Sequence, residues 1–142
     1  MNKFRHNRSP EEKQNIVQRI VTCLETAPQE MLAVYVFGSF AMDKPFADID
    51  IAILFRAVMD EPLSYELDIE NNLEKLMSIP VDVRVMNAAP LSFQYQVIQD
   101  GRVIIDREPQ HRAEYEGQVL KQYFDFSRYR IRYLKEAVYA PL

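Results

Sequence analysis

The residues best suited to chemistry lie in two short segments near the middle of the chain. Gly38 and Ser39 follow an apolar stretch, where a glycine permits a tight turn and lets the backbone approach a ligand closely. If a helix begins just after Ser39, its unpaired N–H groups form an anion site, to which the Ser39 hydroxyl adds a hydrogen bond. Asp48 and Asp50 stand two positions apart at the start of the next apolar stretch, so both carboxylates project from one face of a strand.

This carboxylate pair predicts a divalent metal ion. Two ionised carboxylates a few ångströms apart repel each other, and a hard cation removes that penalty. Magnesium favours one or two carboxylates together with substrate phosphates, and manganese is the alternative ion. Asp82, the one acid in a later alternating strand, is the candidate third acid. It would complete a two-metal site, or accept a proton from an incoming hydroxyl.

Apolar periodicity and turn signals predict the elements that position these residues. Helices are expected from Pro10 to before Pro28, over 62–77, over 90–99 and over 110–139, with strands over 32–37, 49–55, 81–86 and 102–105. Residues 38–47 form a turn that has room for a short helix. Because strands alternate with helices, we expect an α/β (α+β) fold with a small mixed β-sheet flanked by helices. One domain is expected over 1–142, with its core at about 10–106 and a C-terminal helix at about 108–139.

The long terminal helix carries two patterns. Its apolar residues follow the alternating four-three spacing of a helix that packs against another helix, at Leu120, Phe124, Ser127, Ile131, Leu134 and Val138. Basic and aromatic residues interleave over 128–135. Tyrosine and arginine are favoured anchors at protein interfaces, so this pattern favours a protein partner over RNA.

Composition narrows the classes of protein further. The 142 residues are 48% hydrophobic and 27% charged, a balance typical of a globular protein. A formal charge of −4 argues against a general nucleic-acid-binding protein. A single cysteine, Cys23, and the absence of an apolar N-terminal stretch lead us to expect a cytoplasmic protein without a membrane segment.

The central motifs resemble those of the DNA polymerase β-like nucleotidyltransferase superfamily. The likeness lies in Val36-Phe37-Gly38-Ser39, in Asp48-Ile49-Asp50-Ile51 and in Asp82 within a Pro-Val-Asp-Val strand. Within that superfamily the chain is similar to the minimal nucleotidyltransferase (MNT) antitoxins, the partners of HEPN-domain ribonuclease toxins. The resemblance implies that Gly38 and Ser39 hold nucleotide phosphates, that Asp48 and Asp50 coordinate magnesium, and that Asp82 is the third acid. It also implies an activity, the transfer of AMP from ATP to a tyrosine of the cognate toxin, which neutralises the toxin.

Two alternative functions stay open at this point. Only eight residues separate Ser39 from Asp48, fewer than in the usual family pattern, and Ala41-Met42-Asp43 stands where Ala-Arg-Gly is common. Such a change suits an antitoxin that keeps the fold, has weak or no catalysis, and neutralises by binding. A small-molecule nucleotidyltransferase of the aminoglycoside-modifying kind is the lower alternative, because few residues follow Met86 to build a substrate domain.

Overall fold

Helices and strands alternate along residues 7–139, the part of the chain that this computed structural model describes. The helices are α1 (Pro10–Leu24), α2 (Gly38–Ala41), α3 (Pro62–Met77), α4 (Leu91–Asp100) and α5 (Pro109–Tyr139). The strands are β1 (Met31–Phe37), β2 (Ile49–Phe55), β3 (Val81–Val85) and β4 (Arg102–Asp106). The predicted order of elements is confirmed, and α2 is the short helix for which the turn had room.

The four strands form one mixed sheet in the order β3-β2-β1-β4. β1 lies antiparallel to both β2 and β4, whereas β2 and β3 are parallel. α1 and α3 cover one face, on which Ile49, Ile51 and Ile53 are fully buried, as the alternation of β2 predicts. α4 and the first part of α5 cover the other face, in a second cluster that includes Tyr35, Leu54 and Val97.

Three glutamates of α3 cover the exposed edge of β3. Spaced four apart on one helix face, Glu66, Glu70 and Glu74 accept hydrogen bonds from the backbone N–H groups of alternate β3 residues. Their oxygens lie 2.8–3.0 Å from the nitrogens of Val81, Val83 and Val85. An edge strand otherwise offers unpaired N–H groups to another chain, so this ladder both stabilises β3 and closes the edge.

The long helix α5 extends well past the helix on which it packs. Its 31 residues span about 46 Å, against about 15 Å for the 10 residues of α4. The two helices meet where Tyr95 stacks on Tyr123, with ring centroids 3.7 Å apart. Phe124 also meets the Tyr95 ring edge to face, with centroids 6.0 Å apart. Farther along, Ile131 and Leu134 are about half exposed. The prediction that this stripe packs against a helix is therefore confirmed within this chain at Phe124 and wrong at Ile131 and Leu134. Val138 lies outside the residues whose side chains are described.

No helix among residues 7–139 is long and apolar enough to cross a membrane.

Candidate active site

The Gly38 turn and the carboxylate of Asp50 lie in direct contact. β1 ends at Phe37, and Gly38 then adopts a φ of +71°, a backbone conformation that side-chain-bearing residues rarely take. A β-carbon added at Gly38 would collide with the Asp50 Oδ2 atom and lie 3.2 Å from its Cγ. Only glycine therefore lets the turn and this carboxylate share the space.

Strand register places the candidate carboxylates in a row. Phe37 is the partner of Asp50 in the antiparallel β1–β2 ladder, and Asp50 is the partner of Asp82 in the parallel β2–β3 ladder. Neighbouring strands lie about 4.8 Å apart, so the turn, Asp50 and Asp82 follow one another across the sheet. Asp48 lies just before β2, which begins at Ile49, so its place on the same face as Asp50 stays a prediction. All three aspartates are partly buried.

Aromatic residues of α4 and β1 border this row on the face away from α1 and α3. The rings of Phe37 and Phe93 meet edge to face, with centroids 5.4 Å apart. The guanidinium carbon of Arg84 lies 5.5 Å from the centre of the Phe93 ring. Because Arg84 follows Asp82 by two residues, its positive charge is on the same face of β3 as the carboxylates.

The donor set suits a magnesium ion that a nucleotide helps to hold. In the described part of the chain, no three acidic, histidine or cysteine side chains form a group that could hold a metal ion as they stand. Magnesium needs no such protein cage, since it is usually held by one or two carboxylates and completed by substrate phosphates and water. Asp48 and Asp50 are the predicted pair, and the Asp50 carboxylate lies against the Gly38 turn. The residues present therefore fit the ion that the sequence predicts.

The short segment between Ser39 and Asp48 folds without separating the turn from the carboxylates. α2 makes one helical turn, in which the Met42 nitrogen donates to the Gly38 oxygen at 3.2 Å. Asp43 follows with a φ of +57°, so aspartate occupies the left-handed conformation at the position where the family pattern has glycine. Aspartate tolerates this conformation better than most residues. The Asp50 carboxylate therefore keeps its contact with Gly38 although the second glycine of the family pattern is absent.

One residue at the site was missed by the sequence analysis. Lys13 of α1 is buried, and its ammonium group donates to the backbone oxygen of Phe40 in α2. A signal for it exists in the sequence, because Lys13 occupies the first position of the stripe that Ile16, Ile20 and Leu24 continue. A lysine on a buried stripe needs a partner, but the sequence does not say which one.

The family model described as "Polymerase beta, Nucleotidyltransferase" matches residues 18–110, which is more than half of the chain and includes the whole row from Gly38 to Asp82. The chain belongs to this family. A search of curated proteins finds no match for this nucleotidyltransferase.

Solved structures show the same fold. One is a chain from the tri-AMPylated HEPN toxin of Shewanella oneidensis in complex with its MNT antitoxin, with a TM-score of 0.71, 19% identity, and 89% of this chain and 98% of that chain covered. A toxin–antitoxin complex with AMP-PNP gives a TM-score of 0.72 at 18% identity, covering 86% of this chain and 98% of that one. An MntA complex in which two aspartates two positions apart are both changed to glutamate gives 0.72 at 17% identity, with the same coverage.

Proposed function

We propose that this nucleotidyltransferase is the antitoxin of a HEPN/MNT toxin–antitoxin pair. It transfers AMP from ATP to a tyrosine hydroxyl of its cognate HEPN ribonuclease and so neutralises the ribonuclease. The observation that carries the proposal is the contact between the Gly38 turn and Asp50, with Asp82 in register on the next strand. The similar chains that come from an AMPylated toxin complex and from a complex with AMP-PNP support the choice of reaction and of nucleotide.

Each candidate residue has a role that suits its place. Gly38 and Ser39 bind the phosphates through backbone N–H groups and a hydroxyl. Asp48 and Asp50 would hold a magnesium ion, which would neutralise negative charge on the phosphates. Asp82 accepts the proton of the incoming tyrosine hydroxyl, whose oxygen bonds to the α-phosphorus as the bond to the leaving pyrophosphate breaks. This reaction uses ATP from the cytoplasm, which is where we place the protein.

The exposed half of α5 is the surface that we assign to the toxin. Six large apolar or aromatic residues are about half exposed or more, namely Phe124, Phe126, Tyr129, Ile131, Tyr133 and Leu134. Arginine and lysine stand between them over 128–135. Scattered surface apolar residues are ordinary, but a run of aromatic and basic residues on one helix is typical of a protein interface. This surface also supports the second candidate function, neutralisation by binding alone.

The experiment is a transfer assay on the purified pair. The protein is incubated with magnesium, its cognate HEPN protein and ATP labelled at the α-phosphate. We expect label on a tyrosine of the toxin, together with loss of ribonuclease activity. A toxin that binds the antitoxin and loses activity but gains no label would refute the transfer reaction and leave the binding function.

A further inference from the structure

Lys13 is the one buried charged residue in the part of the chain that the structure describes, with 7% of its surface exposed. It lies on α1, far in sequence from the residues that it contacts. Burial of an ammonium group is costly unless hydrogen bonds or other charges compensate it. The contacts around its Nζ atom therefore indicate what the residue does.

Those contacts all belong to the segment that carries the phosphate-binding turn. The Nζ atom donates to the backbone oxygen of Phe40 at 2.9 Å and lies 3.5 Å from the Asp43 carboxylate. It also lies over two aromatic rings, 5.2 Å from the centre of Phe40 and 5.5 Å from that of Phe46. These two rings pack edge to face, so the ammonium lies within cation–π distance of both.

This arrangement attaches the short helix α2 to α1. Phe40 follows Gly38 by two residues, and α2 is too short to hold its own orientation through internal hydrogen bonds. The carbonyl that Lys13 holds is in the same helical turn as Gly38 and Ser39. Without this contact the Phe40 carbonyl would lose its partner on α1, while Asp50 would remain in its strand. Displacements of about 1 Å at such a site can lower activity about a hundredfold.

We propose that Lys13 is a positioning residue for the nucleotide-binding turn. It holds the Gly38-Ser39 segment against the carboxylate row, and it does so from an element outside the sequence motif. Its partner Asp43 fixes the left-handed end of the same segment. The proposal rests on the proposed function, because it assumes that this turn binds nucleotide phosphates.

The test compares Lys13→Met with Lys13→Arg. Methionine keeps the length and packing of the side chain but removes the ammonium group, whereas arginine keeps the charge and the donors. Arg19→Met is the control for loss of a cation from the exposed face of α1. For each variant, calorimetry measures the affinity for magnesium AMP-PNP without the toxin, circular dichroism measures the Tm, and the transfer assay measures KM and kcat.

We expect Lys13→Met to weaken AMP-PNP binding about tenfold or more and to raise the KM for ATP by a similar factor, since a hydrogen bond from a charged group is lost. Lys13→Arg should recover most of this affinity, and the Arg19→Met control should stay within about twofold of the wild type. A lower Tm with unchanged AMP-PNP affinity would mean that Lys13 is merely structural, and would overturn the inference.

A fallback variant and two measurements on the wild type separate failure of this inference from failure of the proposed function. If Lys13→Met does not fold, Asp43→Asn tests the same attachment from its exposed end, and an unchanged AMP-PNP affinity in that variant counts against the inference. A wild-type protein that binds AMP-PNP but labels no toxin refutes the transfer reaction alone. A wild-type protein that binds no AMP-PNP refutes both proposals.

Discussion

Replacement of Gly38 by alanine tests the geometry of the site most sharply. Alanine would have to adopt a φ of +71°, which costs about 1–2 kcal/mol for a residue with a β-carbon. The new methyl group would also collide with Asp50 Oδ2, and an off-rotamer side chain costs about 0.5–1.5 kcal/mol. Alanine recovers about 0.4–1 kcal/mol through the lower entropy of the unfolded chain. The net loss in the free energy of unfolding is about 1–2 kcal/mol.

The chain supplies its own control for this substitution. Gly117 lies inside α5, and a β-carbon added there would meet nothing within 4 Å. Gly117→Ala should therefore stabilise the protein by about 0.5–1 kcal/mol, because glycine is a poor helix residue. Thermal unfolding followed by circular dichroism should move the two Tm values in opposite directions, down by roughly 3–6 °C for Gly38→Ala and up for Gly117→Ala.

The same variant should lose function beyond its loss of stability. When the methyl group displaces the Asp50 carboxylate, we expect AMP transfer at a temperature where the variant is folded to fall about a hundredfold. Gly117→Ala should transfer AMP at the wild-type rate. If Gly38→Ala is as stable and as active as Gly117→Ala, the Asp50 carboxylate does not lie against the turn, and the reasoning is refuted.

Three other predictions concern the edge of the sheet, its buried tyrosine and α5. Glu70→Ala leaves a β3 N–H group without its carboxylate, so urea unfolding should show a free energy of unfolding lower by about 1–3 kcal/mol. The exposed control Asp68→Ala should change it by no more than about 0.5 kcal/mol. Equal losses in the two variants would contradict the edge-covering role. Burial, reinforced by the Glu116 carboxylate, raises the pKa of Tyr35. Above about pH 10 this tyrosine is therefore ionised in the unfolded chain but not in the folded chain. The stability of the wild type should fall with rising pH relative to that of Tyr35→Phe. If the two proteins show the same dependence of stability on pH, the raised pKa of Tyr35 is refuted. Replacement of both Tyr129 and Tyr133 by alanine should weaken toxin binding at least about tenfold in calorimetry while leaving the Tm unchanged, and unchanged affinity would place the toxin elsewhere.

Local sequence patterns predicted the helices and strands well, because the residues that begin and end each element lie within it or next to it. Pro62 opens α3, and the alternation of Ile49, Ile51 and Ile53 both defines β2 and assigns its buried face. The predicted strand at 81–86 ends one residue earlier, at Val85. Local patterns also indicated the turn at Gly38, since a glycine after an apolar stretch permits a left-handed backbone conformation.

Contacts between distant segments could not be predicted in this way. Residue type made Asp82 the candidate third acid, but its pairing with Asp50 depends on strand order, which no local pattern reports. The contact of Lys13 with Phe40 depends on how α1 lies across the sheet. The four-three pattern on α5 correctly indicates an apolar stripe, but periodicity does not say whether the stripe packs within its own chain or against another one.

The central claim is that the carboxylates beside the Gly38 turn carry out AMP transfer, and it is tested most directly by removing them without removing the complex. Asp48→Asn with Asp50→Asn keeps side-chain size, and Asp60→Asn with Asp68→Asn makes the same change of charge at exposed positions. The measurement is the intact mass of the cognate toxin after incubation with each antitoxin and magnesium ATP. The account predicts AMP groups on the toxin with the wild type and the control variant, and none with the Asp48/Asp50 variant, although it still binds the toxin. A toxin that gains AMP from the Asp48/Asp50 variant at the wild-type rate would contradict the account.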